Sequence, residues 1–299
     1  RRPFEAWFDG IEAGWAIPVL LTGFVAIWTA FFGIAYVNAS LHPDVLEAWS
    51  LGRDFAWGNP KHPPLMGWIA GLWSSVFPVA DWSMHLLAMT NAALALFAVD
   101  LIARRFVRGD RRVVVLLLLM LLPAYQFHAQ RFNANSVLLA IWPLATYCFL
   151  RSFESRAALW SLAAGAMCAL AMLGKYYSLF LIAGFGIAAL AHPARMSYLR
   201  SSAPWLSMAA GLAVLAPHLV WLWTSGGESL GYGMHVHGGA PFVAVVQFVS
   251  KFLLGIAGYL LIPAAVWCVV MRATPRALWR ASGAMEPGLL LLALVFVGS

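Results

Sequence analysis

The chain has 299 residues, 62% of them hydrophobic and only 10% charged, with a net charge of +7. Soluble domains carry about 25% charged residues, so this composition excludes an ordinary soluble domain. The positive balance reads as the cytoplasmic Lys and Arg excess of a membrane protein rather than as a nucleic-acid footprint.

Backbone groups in lipid must be satisfied internally, and long unbroken apolar runs select helices over a closed barrel. The expected fold class is all-α: a polytopic bundle of about nine spans, the last one cut short. Cys148, Cys168 and Cys268 all fall inside apolar runs, with neither a disulfide framework nor metal-ligand spacing.

Residues 1–16 carry Arg1, Arg2 and the apolar set Phe4, Trp7, Phe8, Ile11 and Trp15. Spacings of three and four predict a cytoplasmic amphipathic helix lying on the membrane. A transmembrane domain is expected over 17–299, its first span at 17–38. An outer loop, 39–82, follows. Within it Val45 to Trp57 reads as a short helix, and Pro63-Pro64 opens a second apolar segment from Leu65 to Phe77. That segment is short enough to lie in the interface. Further spans are expected near 83–103, 113–127, 137–150, 157–173, 177–191, 203–223 and 242–270, with a polar Gly/His loop at 224–241. A ninth begins near 287. The chain lacks an initial Met and ends inside an apolar run, so it is expected to be part of a longer protein.

Charge tests this alternation. With the N-terminus in the cytoplasm, one side collects fourteen cations: Arg1, Arg2, Arg104, Arg105, Arg108, Arg111, Arg112, Arg151, Arg156, Arg195, Arg200, Arg272, Arg276 and Arg280. The other side holds Arg53, Lys61, Arg131, Lys175 and Lys251. The split follows the positive-inside rule, and it puts the unusual loop on the non-cytoplasmic face.

That loop concentrates the polar chemistry. Asp44 and Glu47 are three apart, one face of a helix, which suits a general base with a helper acid as well as two solvated carboxylates. In Lys61-His62-Pro63-Pro64 two prolines stiffen the backbone and keep the preceding residue extended, which fixes His62 or merely shapes a membrane-entry turn. Arg131-Phe132-Asn133-Ala134-Asn135 and Gly174-Lys175-Tyr176 are turns with one cation each, suited to phosphate or to snorkelling. His235 and His237 have no third ligand nearby and read as a flexible Gly-rich loop rather than a metal site. His85 and His218 lie in spans and read as core hydrogen-bonding residues.

With these residues in view, the chain resembles the polytopic glycosyltransferases that use lipid-phosphate sugars. That group includes the protein O-mannosyltransferases and the bacterial transferase that adds aminoarabinose to lipid A. Asp44, Trp49, Ala56-Trp57-Gly58 and His62-Pro63-Pro64 fall in the family's order, Leu173-Gly174-Lys175-Tyr176 is similar to its Ser-Lys-Tyr turn, and Ala216-Pro217-His218-Leu219-Val220-Trp221 looks like its Pro-to-Trp element. Departures are Val45 after Asp44, Lys61 before His62, and Asn135 where the family often has an acid.

The resemblance implies a GT-C-type bundle with periplasmic juxtamembrane helices in the first outer loop, in the bacterial inner membrane. It implies a polyprenyl-phosphate sugar donor and a glycan, lipid or protein acceptor, with no nucleic acid. Asp44 is the expected catalytic base. Glu47, Lys61, His62, Arg131, Asn135, Lys175 and Tyr176 are expected to bind substrate. No metal ligand and no cofactor are indicated, although a divalent metal is compatible with the family. Polar residues in a membrane chain also suit a transporter or flippase of a lipid-linked or anionic solute, but no repeated half is visible here.

Overall fold

Helix is the only regular structure among the described residues, which in this computed structural model are 3–237, 241–272, 274 and 286–298. Arg1, Arg2, Arg276 and Arg280, and the side chains of Phe4, Phe8 and His237, lie outside them.

Among the described residues four helices are long and apolar enough to cross a membrane: α2 (Ala16–Ala35), α5 (Asp81–Ala103), α7 (Ser136–Ser155) and α11 (Ala203–Thr224). The other helices lie before, between and after them. They are α1 (Pro3–Ala13), α3 (Pro43–Gly52), α4 (Leu65–Val76), α6 (Asp110–Met120), α8 (Ala158–Gly174), α9 (Ser178–Ala191), α10 (Arg195–Leu199) and α12 (Glu228–His237), followed by α13 (Phe242–Met271) and α14 (Pro287–Gly298). Together these make an all-α, multi-pass membrane protein.

The segment expected as a span over 113–127 ends as α-helix at Met120, and Pro123 opens a single 3-10 turn to Tyr125. Proline has no N–H to continue the ladder. The helix expected from Val45 to Trp57 stops at Gly52, and Phe55 adopts a φ of 45°. The 224–241 stretch is not all loop. Gly226 and Gly227, at φ 69° and 75°, turn the chain after α11 in a conformation that suits glycine, and α12 follows.

Packing runs α2–α5–α7–α8–α11, with α3 on α4 and α9 on α14. Close approaches are made through small residues. A Cβ on Gly165 would lie 1.9 Å from the Ser207 carbonyl oxygen, so α8 and α11 nearly touch there. Ser207 Oγ donates to the Ser161 carbonyl at 2.7 Å across the same contact. Cβ atoms on Gly52 and Gly71 would each meet the other helix's backbone within 2.5 Å, which locks α3 onto α4. Backbone approach of this kind is the usual device of helices packed in lipid.

The arginine-rich end is tied by a buried acid. Asp100, fully buried in α5, accepts from Arg112 Nε at 3.0 Å and Nη2 at 2.8 Å, and from Arg104 Nη2 at 3.3 Å. Arg112 Nη1 also reaches the Ile11 carbonyl at 3.3 Å, and Glu12 accepts the Gly109 N–H at 2.6 Å. Thus α1 is fastened to the turn after α5. Its Ile11 is buried in the bundle, and the helix is not merely laid on a membrane surface.

The Gly165 contact makes a stability prediction. Gly165→Ala should lower the thermal stability of the full-length protein in detergent by about 1–3 kcal/mol through overpacking. Gly23→Ala, where the added methyl meets open space, should leave it unchanged or raise it slightly.

Candidate active site

The site starts where α3 starts. Pro43 sits in the first turn, and His42 Nδ1 accepts the Asp44 N–H at 3.2 Å, so one otherwise unpaired helix donor is satisfied. Asp44 then lies in the first turn, where the helix dipole favours a carboxylate. Its Oδ2 accepts from Asn133 Nδ2 at 3.1 Å.

Asn133 has a second task. Its Oδ1 accepts the backbone N–H groups of Asn135 at 2.9 Å and Ser136 at 3.0 Å, at the start of α7. Asn91 of α5 clamps the same turn from below, donating to the Ser136 carbonyl at 2.7 Å. The amide that orients Asp44 is therefore fixed by the end of a membrane-spanning helix.

One turn along α3, Glu47 takes both oxygens to Lys61 Nζ at 2.9 Å, and His62 Nε2 lies 3.9 Å from Glu47. The Lys61-His62 backbone is shaped by Asn59. Its Oδ1 accepts the N–H of Lys61 at 3.0 Å and of His62 at 2.8 Å, just before the buried Pro63 and Pro64. The hydrogen bond to Glu47 raises the Lys61 pKa. Burial lowers that of His62, against the opposing pull of Glu47; the charges of Lys61, Lys175 and Asp44 also act on the ring.

The third piece is the end of α8. Lys175 Nζ donates to Asn135 Oδ1 at 2.6 Å and sits 4.8 Å from the Tyr177 ring centre. Burial lowers its pKa. Beside it, Tyr176 Oη is 2.9 Å from His218 Nε2 and 2.5 Å from Ser229 Oγ, while His218 Nδ1 is 2.7 Å from the Trp57 carbonyl. A carbonyl only accepts, so in the neutral ring Nδ1 carries the proton and Nε2 accepts from Tyr176; Ser229 then donates to Tyr176. Burial raises the Tyr176 pKa, which keeps the phenol a donor.

This chain of bonds pins the first outer loop to α11 and α12. Gly58 completes the seam: a Cβ there would strike the Trp221 ring at 2.3 Å, and Trp221 stacks on His218 with ring centres 5.6 Å apart. Trp68 holds the same loop from the other side through a bond to the Ala56 carbonyl at 2.8 Å.

Asp44, Glu47, Lys61, His62, Asn135, Lys175 and Tyr176 thus belong to one assembly. Arg131 does not join Lys175. It lines a different cavity with His42, Asp81 and His85, because the chain turns between Arg131 and the start of α7 at Ser136 and the two ends of that turn meet different neighbours. His235 lies on α12, and the side chain of His237 lies outside the described residues. Among the described residues no group of three His, Cys, Asp or Glu side chains is placed to hold a metal.

Six contributors were not expected from the sequence: His42, Asn59, Asn91, Asn133, His218 and Ser229. Asn133 stood inside a singled-out turn, two residues from Arg131 and from Asn135, and that spacing was its only signal. His218 is buried as expected, yet it serves the site rather than only the core. His85 does not follow its expectation of core hydrogen bonding, since its Nδ1 has no partner.

A loop carboxylate held at a helix start, near an exposed and a half-buried lysine on a multi-pass helical bundle, fits a membrane glycosyltransferase of the GT-C type. Residues 61–221 match the dolichyl-phosphate-mannose-protein mannosyltransferase family. That is just over half the chain, and the chain belongs to this family. No curated protein and no solved structure matches it.

The opposite pKa shifts of the two lysines are directly measurable. Amine acylation followed by mass spectrometry should switch on at lower pH for Lys175 than for Lys61. Glu47→Gln should move the Lys61 midpoint down and leave that of Lys175 nearly in place.

Proposed function

We propose that the protein transfers a sugar from a polyprenyl-phosphate donor to an acceptor hydroxyl, with inversion, at the face opposite the arginine-rich end. We take that face as periplasmic and the membrane as the bacterial inner membrane. The observation that carries this reading is the 133–135 turn, where Asn133 holds Asp44 and Asn135 holds Lys175. One rigid turn sets a base and a phosphate-binding cation at a fixed separation.

The donor's lipid lies in the bilayer, so its phosphate and sugar emerge at the membrane surface, where this turn sits. Lys175, with Lys61 and His62 nearby, receives the phosphate. The acceptor oxygen attacks the anomeric carbon as the bond from that carbon to the phosphate oxygen breaks. The sugar passes through an oxocarbenium-like state. The acceptor's proton goes to Asp44, and polyprenyl phosphate leaves as an anion stabilised by the cations. A phosphate monoester is already a good leaving group, so no general acid is required. Lys175 suits the role because its lowered pKa reflects an ammonium short of solvation, which an arriving phosphate restores. Glu47 keeps Lys61 charged and in place, and Tyr176 braces the loop through His218.

The test is transfer from purified polyprenyl-phosphate sugars by the full-length parent. Asp44→Asn should lose about 10²–10⁴-fold in turnover while retaining donor binding. Lys175→Ala should mainly raise the donor KM. Unchanged turnover in Asp44→Asn, or a product with retained anomeric configuration, contradicts the assignment.

A further inference from the structure

Arg131 lines a cavity of about 150 Å³ together with Tyr36, His42, Asp81, His85 and Gln130. The cavity adjoins the proposed base. His42 and Val45, which flank Asp44 in the chain, are both in its wall, and His42 Nδ1 is 3.6 Å from Asp44 Oδ1. Arg131 is two residues from Asn133, which holds the other Asp44 oxygen. Asp44 therefore adjoins this cavity through His42 and is linked to the Lys175 side through the Asn133–Asn135 turn.

Its lining has a particular chemistry. His42 Nδ1 is occupied by the Asp44 N–H, so the neutral ring carries its proton on Nε2. Gln130 Nε2 donates to Tyr36 Oη at 3.3 Å, which leaves the phenol proton to donate elsewhere. His85 is 7% exposed, with its ring 5.7 Å from that of Phe32 and its Nδ1 without a partner. Asp81 and Arg131 both border the space, and among the described residues they form no ion pair with each other. Donors and acceptors thus both border it, with one charge of each sign. Leu41, Val45 and the face of Tyr36 add apolar wall.

A bare phosphate would satisfy Arg131 and be repelled by Asp81. An apolar chain would strand every polar group, at about 1–3 kcal/mol for each unsatisfied one. A sugar ring matches the lining, because each hydroxyl both donates and accepts and its C–H face suits Tyr36. We propose that this cavity is the acceptor subsite and that the acceptor is a glycan. One of its sugars is seated by Arg131, Asp81 and His85 so that a hydroxyl reaches Asp44 past His42, apart from the Lys175 site. This rests on the transferase reading, and it gives Arg131 a role in acceptor specificity instead of donor phosphate binding.

The test is saturation-transfer NMR on the full-length protein in detergent, with methyl glucopyranoside as probe at tens of millimolar. The parent should transfer saturation to the glycoside. Arg131→Ala and Asp81→Asn should each weaken binding about tenfold, and Lys175→Ala should not change it. Inorganic phosphate should not compete. No signal in the parent, a signal indifferent to both cavity substitutions, or competition by phosphate overturns the proposal. A parallel assay of donor cleavage by water separates the two claims. Arg131→Ala should release polyprenyl phosphate at the parental rate while transfer to a glycan falls. Arg131-dependent glycoside binding in a protein that never cleaves any donor upholds a sugar site in the cavity and removes the transferase reading.

Discussion

Hydrocarbon cannot hydrogen-bond a peptide group, and that constraint sorts this molecule into a structural middle and two chemical ends. The helices satisfy their own backbones and approach one another through glycine and serine. Polar side chains gather where the helices stop. At one end Asp100 and Arg112 lock α1, α5 and α6 together. At the other end the breaks between helices are not slack connections. Several carry a side chain that reaches a residue on a different helix or loop.

Asn133 shows how the second end works. Its carbonyl oxygen receives the N–H groups that open α7, and its amide reaches across to Asp44. One residue thereby couples the start of a membrane-spanning helix to the start of α3. Two residues on, Asn135 does the same for Lys175. On the far side, Tyr176, His218 and the Trp57 carbonyl tie the loop to α8 and α11. The carboxylate and the cations are then held by rigid elements, which is what preorganised electrostatic catalysis requires. An acid in place of Asn135 would pair with Lys175 and neutralise it. The neutral amide orients the ammonium and leaves its charge for an anion.

Much of this was legible in the sequence. Apolar runs separated by arginine clusters were enough to give the all-helical, multi-pass bundle, since the energies of burying charge in lipid are large and local. The odd loop stood out because polar residues are scarce elsewhere. The run Lys61-His62-Pro63-Pro64 and the pair Asp44 and Glu47 could be singled out on chemistry alone. What stayed hidden were contacts between residues far apart in the chain: Asp44 with Asn133, and Tyr176 with His218. No local pattern encodes such pairs. Arg131 was grouped with Lys175 for its charge, and the bend of the turn carries it to a different cavity. The helix at 228–237 was missed because its glycines and histidines read as loop, while its Ser229 is held in place by Tyr176.

The central claim is that the donor phosphate sits at Lys175 with the sugar's anomeric carbon turned toward Asp44. The most direct measurement is a cryo-electron microscopy structure of the full-length protein with a non-cleavable polyprenyl phosphonate sugar. The account predicts phosphonate density at Lys175, within reach of Lys61 or His62, and the sugar extending toward Asp44. Phosphonate density in the Arg131 cavity, or at the arginine-rich end with Asp44 remote from the sugar, would contradict it.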